Sequence, residues 1–276
     1  MSEPFLIDVR GQFAPGQLQV RWRDETRPPR AELDALVAKV WREQTEASRQ
    51  AGRLLYNGFM VRYLRHQVKD GILSIDGGST DFANFLATNL LNWPRGEELG
   101  WEWFSNPIGS SALPITADGQ LLLGRRNQRV AFHAGYVHVI GGGLEAADRR
   151  PDGTVDAFAA ARRELLEELI LAPEEIGEVV CLGMIRDPTI QQPELVFEAA
   201  LHLTWDEVAE RLKTDDPHQE HACLLACPDE ADAIVPFIRS NPPVTPVAIG
   251  LLCLHGRLRF GQAWYERAIT NLPAQK

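Results

Sequence analysis

The sequence predicts an α/β fold: a mixed sheet covered by helices, preceded by an N-terminal α+β region. Three observations predict it. Segments with period-two alternation interleave with segments whose apolar residues recur every three or four positions, without the strict rhythm of repeated βαβ units. Apolar residues make up 45% of the 276 and charged residues 24%, the balance of a globular core rather than of a disordered or fibrous chain. The stretch Gly96 to Asn106 marks a boundary, dividing an N-terminal region, 1–106, from a second domain, 107–276.

In chain order, Phe5 to Trp22 alternates loosely across Pro15-Gly16 and predicts a small hairpin. Leu33, Leu36, Val37, Val40 and Trp41 predict an amphipathic helix over Arg30 to Ala51, stopped by Gly52. Leu54 to Ile75 reads as strand, turn, strand, reversing at Asp70-Gly71. Asp81 to Leu91 reads as a short helix ended by Trp93-Pro94. The second domain opens with a hairpin, Ala112 to Thr116 and Leu121 to Arg125, turning at Asp118-Gly119. Strands are expected at Val137 to Ile140, Val179 to Met184, Leu195 to Leu203 and Ala222 to Ala226. Helices are expected at Val155 to Leu169, at Trp205 to Leu212, and from Ala231 and Pro243 onward.

Composition excludes several function classes. There are 38 Asp and Glu against 28 Lys and Arg, a net charge of −10, which disfavours gripping a nucleic-acid backbone. No apolar run is long enough to span a membrane, and the start lacks a basic segment followed by an apolar one, so a cytoplasmic protein with no membrane partner is expected. The four cysteines form no CxxC pair and read as buried or idle thiols. Neither a GxSxG elbow nor a GxxxxGK[ST] loop is present, against a serine hydrolase of the usual type and a P-loop nucleotidase.

The most informative segment is Gly141 to Leu171. With Thr154 as its cap, the helix places Phe158, Ala161, Leu165 and Leu169 on one stripe. Glu164, Glu167 and Glu168 stand at i, i+3 and i+4, so like charges crowd one side. Water and salt screen them, or a cation sits among them; hard carboxylate oxygens select Mg²⁺ or Mn²⁺. The run Gly141 to Gly143 after a predicted strand lets backbone approach a ligand closely.

This array resembles the Nudix hydrolase signature, G-x5-E-x7-R-E-U-x-E-E-x-G-U, with U a bulky aliphatic. Arg163 to Glu168 supplies the REUxEE core, and Gly142 with Glu145 resembles the GGxxE that opens the box. With Arg163 setting register, the upstream Glu falls on Val155 and the closing Gly on Ile170, so the loop Glu145 to Thr154 reads as an insertion, and Asp152 or Asp156 is a candidate for the missing acid. The resemblance implies a Nudix α/β/α sandwich with a mixed sheet, in which Glu164, Glu167 and Glu168 bind Mg²⁺, Arg163 holds a glutamate in place, and backbone near Gly142 adds a ligand. It further implies one carboxylate from a later loop as metal ligand or proton acceptor: Glu220 first, ahead of Glu194 and Glu198.

A second resemblance spans Val40 to Ala226. VWREQ, YNGFMVRYL, DFANFLATN, NPIGSSALPITADGQLLLGRR, LGMIRDPT and LTWDEV look like segments of the atypical UDP-sugar pyrophosphatases of the same superfamily. It implies Mg²⁺-dependent hydrolysis of UDP-glucose or UDP-galactose to UMP and sugar 1-phosphate. Arg125 and Arg126 are candidates for the diphosphate, and Thr88 and Asn89 for the uridine or sugar. His133 and His138 read as packing or hydrogen-bonding residues, Trp101 and Trp103 as core, and Asp187 as a loop residue without a role. The partner expected is a small nucleotide sugar, with a homodimer left open as the assembly. Two other readings stand beside this one: hydrolysis of ADP-ribose or another ADP-linked diphosphate, and a nucleotide-binding regulatory module without turnover.

Overall fold

The computed structural model describes residues 4–52, 55–130, 132–211 and 220–272; Leu54, Leu212 and Lys276, which bound predicted segments, lie outside them. The strands are β1 (Leu6–Phe13), β2 (Leu18–Trp22), β3 (Phe59–Lys69), β4 (Ile72–Asp81), β5 (Gly109–Ile115), β6 (Gln120–Arg126), β7 (Val137–His138), β8 (Ile140–Gly143), β9 (Thr154–Val155), β10 (Ile176–Arg186), β11 (Pro193–Leu201) and β12 (His221–Pro228). The helices are α1 (Ala31–Gln50), α2 (Phe82–Phe85), α3 (Pro94–Leu99), α4 (Ala157–Leu169), α5 (Trp205–Arg211), α6 (Ile234–Ser240), α7 (Pro246–Phe260) and α8 (Gln262–Asn271).

The larger sheet runs β1-β10-β11-β5-β6-β12, with β7 beside β6 and β8 beside β5. It is mixed: β11 and β5 are parallel, whereas β10 and β11 are antiparallel. Helix α4 packs on the β5 and β8 side, and α7 packs against β10 and β11, giving helix, sheet, helix layers. One apolar core joins α4 to the sheet through Ala161, Leu165, Ile140 and Leu195; another, around Leu182, Val196, Leu251 and Trp264, fills the space under α6 to α8. The predicted α/β class and mixed sheet are therefore observed.

β5 and β6 pair only at Ile115 and Leu121, next to the predicted Asp118-Gly119 turn. Farther from the turn β8 lies against β5 and β7 against β6. The glycine run is thus not a loop after a strand, as predicted, but itself a strand: Gly142 pairs with Ser110 and Gly141 with Ser111.

The smaller sheet, β3-β4-β2-β9, comes from the N-terminal region and the insertion before α4. Here the predicted Phe5 to Trp22 hairpin does not form. Its turn closes, Gln17 N–H donating to Ala14 O at 2.8 Å, but β1 then pairs with β10 and β2 with β4 and β9. Val9 and Phe13 of β1 and Leu18 and Val20 of β2 enter one core from different sheets, so parting the strands buries both apolar faces. The chain crosses back once more, because β9 of the insertion pairs with β2 at Val20 and Arg21. The Asp70-Gly71 reversal forms, both residues at positive φ, 51° and 74°, as a two-residue hairpin turn requires. The helix predicted over Asp81 to Leu91 starts as α2, capped by Asp81, and continues as a π-helical turn over Leu86–Leu90; Pro94 starts α3.

Candidate active site

α4 begins two residues later than expected. Its cap is Asp156, whose side chain accepts from Ala159 N–H, while Thr154 belongs to β9. The apolar stripe is nonetheless the predicted one, and Glu164 sits at its edge, 9% exposed. The three glutamates divide. The side chains of Glu164 and Glu168 are 12% and 10% exposed, whereas that of Glu167 is 64% exposed and reaches Arg163 only at 4.0 Å.

Arg163 organises this end of the site. Its guanidinium donates to Glu164 Oε1 at 2.7 Å, to Gly143 O at 3.3 Å and to Asp148 Oδ2 at 3.4 Å. Asp148 is 6% exposed and also accepts from Glu145 N–H. The acid facing Arg163 is therefore Asp148, separated from Gly142 by five residues, and not Asp152 or Asp156. Asp152 closes an exposed turn with Thr154, and Asp156 caps α4 and pairs with Arg150. The insertion consequently follows this acid and is spent on β9.

β8 presses against these carboxylates. A Cβ on Gly142 would meet Glu164 Oε1 at 2.5 Å, so only glycine admits the side chain there. Gly141 N–H donates to Glu168 Oε1 at 3.2 Å. The other oxygen of Glu168 accepts from His221 Nε2 at 2.5 Å, and His221 in turn occupies the space where Gly124 of β6 has no side chain. His221 Nδ1 is buried without a hydrogen bond.

Burial raises the Glu164 pKa most, to about 8, with Glu168, Glu167 and Glu145 adding repulsion against the opposing pull of Arg163. Glu168 is also raised by burial; His221 opposes this and Glu220 adds to it. Two buried acids thus stand side by side with less positive charge than they need. Among the described residues no three acid, His or Cys side chains are gathered into a cation cage, so Glu164, Glu167, Glu168 and Glu220 do not converge on one point.

In front of β8 lies a pocket of about 350 Å³. Its polar floor includes Gly141 to Gly143, Ser111, Arg126, Glu194 and Glu220; its apolar wall is Met60 of β3, Phe82 and Phe85 of α2, and Leu90. Arg126 approaches Glu220 at 3.6 Å and donates to Phe132 O, while Arg125 donates to the carbonyls of Gly135 and Asn241 and serves the adjacent loops. Glu194 accepts from Ser111 Oγ, and burial pushes its pKa to about 7. Glu198 points elsewhere, to His255 of α7.

Thr88 and Asn89, expected at the uridine or sugar, are fully buried. Thr88 donates to Asn84 O, and Asn89 donates to Asn106 Oδ1 and Ile190 O, so the pair ties the π-helical turn to the segment before β5. Their neighbours Phe85 and Leu90 face the pocket instead. His138 pairs with Thr245 and is held neutral by burial. Trp101 and Trp103 stand apart from this pocket, Trp103 beneath the Arg30 guanidinium.

Sequence reasoning passed over His221, Asp148 and the aromatic wall, and it ranked Glu194 behind Glu220. Only the spacing of Asp148 from Gly142 could have been found in the sequence, by counting forward from the glycine instead of back from Arg163.

Comparison with known proteins bears on this arrangement. Among curated proteins none matches the sequence. Solved structures similar to it include a NUDIX hydrolase from Alicyclobacillus acidocaldarius, 19% identical over 61% of this chain and 97% of that one, with a TM-score of 0.37. Others are the MutT protein of Methanosarcina mazei Go1, 17% identical over 58% and 91%, TM-score 0.34, and a C. elegans Ap4A hydrolase, 13% identical over 55% and 96%, TM-score 0.35. The NUDIX domain family model matches residues 105–246, about half of the chain and the part that carries β8, α4 and β12. With its glycine strand packed on a REUxEE helix and that match around them, the chain belongs to the Nudix family and is a pyrophosphohydrolase.

Proposed function

We propose that this enzyme hydrolyses the diphosphate bridge of a nucleoside diphosphate sugar, UDP-glucose or UDP-galactose, to UMP and sugar 1-phosphate. The observation that carries the reading is the composition of the pocket. Its acidic and arginine-bearing floor belongs to the Nudix domain, and its wall of Met60, Phe82, Phe85 and Leu90 belongs to the N-terminal region, the first three within segments that resemble the UDP-sugar pyrophosphatases. On this reading residues 1–106 shape the substrate end and residues 107–276 perform the chemistry.

Nudix enzymes use divalent cations, and these residues suit one. The donors are hard carboxylate oxygens, the two buried acids lack compensating charge, and Gly142, having no side chain, lets the Glu164 carboxylate lie against the β8 backbone. Mg²⁺ is typically held by one or two carboxylates, substrate phosphates and water, so Glu164 and Glu168 suffice without a closed cage, with Mn²⁺ as a substitute. When bound, the cation neutralises phosphoryl charge and polarises the attacking water. Arg163 keeps Glu164 turned toward β8 through its bonds to Asp148 and Gly143, and Glu167 lies outward as an auxiliary acid. Arg126 presents its guanidinium to the diphosphate beside Glu220, which completes the floor. The apolar wall excludes water on the side facing the reacting bond.

The reaction needs no partner but the nucleotide sugar, and its proposed setting is the cytoplasm. No described helix is long and apolar enough to cross a membrane, and the four free thiols, three of them buried, suit a reducing compartment. The test is a product assay with Mg²⁺ on UDP-glucose, UDP-galactose, ADP-ribose, NADH and nucleoside triphosphates, with EDTA controls. UMP and sugar phosphate, lost with EDTA, support the reading. AMP from ADP-ribose transfers it to ADP-linked diphosphates, and nucleotide binding without product replaces it with a regulatory module.

A further inference from the structure

His133 lies on the loop between β6 and β7 and lines the same pocket. Its backbone is in the left-handed region, φ 52°, a strained conformation for a residue with a side chain, of the kind that clusters at active sites. The ring is packed between Phe132 and Tyr136, with centroids 3.7 and 4.7 Å away. Its Nε2–H donates to Asp187 Oδ2 at 3.0 Å. Asp187 is 2% exposed, and its other oxygen accepts from Thr189 N–H. A buried, anchored carboxylate therefore fixes both the tautomer and the direction of a partly exposed imidazole. Among the described residues Nδ1 has no hydrogen-bond partner, and the pocket that His133 lines also presents Arg126 and Glu194.

An aspartate that holds one imidazole nitrogen while the other faces substrate is the arrangement of a general base. The competing acids are less suited to that task. Glu194 is engaged by Ser111 Oγ, and Glu220 has a side chain 52% exposed and paired with Arg126. Resting on the diphosphate reading above, we infer that His133 and Asp187 form a catalytic dyad in which His133 Nδ1 takes the proton of the water attacking phosphorus. The water oxygen bonds to phosphorus and its proton passes to Nδ1. The bond from phosphorus to the bridging oxygen breaks, and that electron pair leaves on the departing phosphate. Asp187 stabilises the imidazolium that forms.

The test uses the full chain with Mg²⁺ on the diphosphate panel named above. His133→Gly suits the left-handed backbone and removes the imidazole, so it keeps the fold. It is expected to lower kcat by about 100-fold or more with KM within about threefold of wild type, and added imidazole restores part of kcat. Asp187→Asn lowers kcat in the same direction. His133→Gly with unaltered kcat, or with a raised KM alone and no rescue by imidazole, overturns the dyad while wild-type turnover still stands. Absence of wild-type turnover on every member of the panel overturns the diphosphatase reading, and the dyad with it.

Discussion

Glu168 of α4 and His221 of β12 meet at 2.5 Å across the space left by Gly124, so a buried acid of the REUxEE helix is tied to the strand 53 residues farther along the chain. Their side chains are 10% and 7% exposed. His221 engages one oxygen of Glu168, so the histidine and a cation bound as proposed would compete for one carboxylate. His221→Ala is expected to destabilise the metal-free protein, because it leaves Glu168 buried and unpaired. It is also expected to tighten Mg²⁺ binding several-fold. Denaturant melts with and without Mg²⁺, together with calorimetric titration, measure both; a variant with wild-type Mg²⁺ affinity would show that the pair does not compete.

Glu168→Gln is expected to abolish turnover and keep the fold. If Glu168 holds the cation as proposed, its removal forfeits several kcal/mol of transition-state stabilisation, a fall in kcat of at least about 100-fold. Circular dichroism tests the fold and a saturating Mg²⁺ series tests the rate. An unchanged rate would remove α4 from the mechanism.

Gly142→Ala separates the cradle from the fold. Its Cβ would stand 2.5 Å from Glu164 Oε1, so the carboxylate moves and its bond to Arg163 is lost. Overpacking of this kind costs about 1–3 kcal/mol. The expected outcome is a modest drop in Tm with a large rise in the Mg²⁺ concentration that gives half-maximal rate.

On the proposal that its guanidinium holds the diphosphate in ground and transition states alike, Arg126→Ala is expected to raise KM about tenfold while kcat falls less. Arg126→Lys restores part of the binding but not the forked contact. Steady-state kinetics on UDP-glucose checks both variants.

His255 of α7 gives stability a pH dependence of defined sign. Burial opposes its charge, but Glu198 at 2.7 Å and Asp229 at 2.8 Å outweigh it and raise its pKa. A raised histidine stabilises the fold fully below its unfolded pKa of about 6.5, and that contribution is lost as pH rises through the folded value. Asp229 also pairs with Arg259, which remains charged throughout. Denaturant midpoints should fall as pH rises above about 6.5 and through the raised folded value, and His255→Gln should flatten that slope.

The elements carried by short-range pattern were legible without coordinates: the apolar stripe of α4, the 3-and-4 spacing of α1, the Asp70-Gly71 reversal, and the arginine and two acids that α4 brings to the site. Each depends on residues within one or two turns of each other, where backbone geometry alone decides which side chains share a face. The choice of partner across the chain was not legible. β1 looks like half of a hairpin until β10 supplies an edge 170 residues away, and β9 looks like a cap until β2 lies beside it. Asp148, not a nearer acid, faces Arg163 because the insertion is drawn off into the smaller sheet. Phe82 and Phe85, in place of Thr88 and Asn89, line the pocket because the π-helical turn rotates the helix and buries the polar pair. Local periodicity, then, set the acidic helix, whereas the packing of two sheets around one core made the glycine run a strand and decided which charges meet and which walls enclose them, since long-range pairing is selected by burial and not by neighbouring sequence.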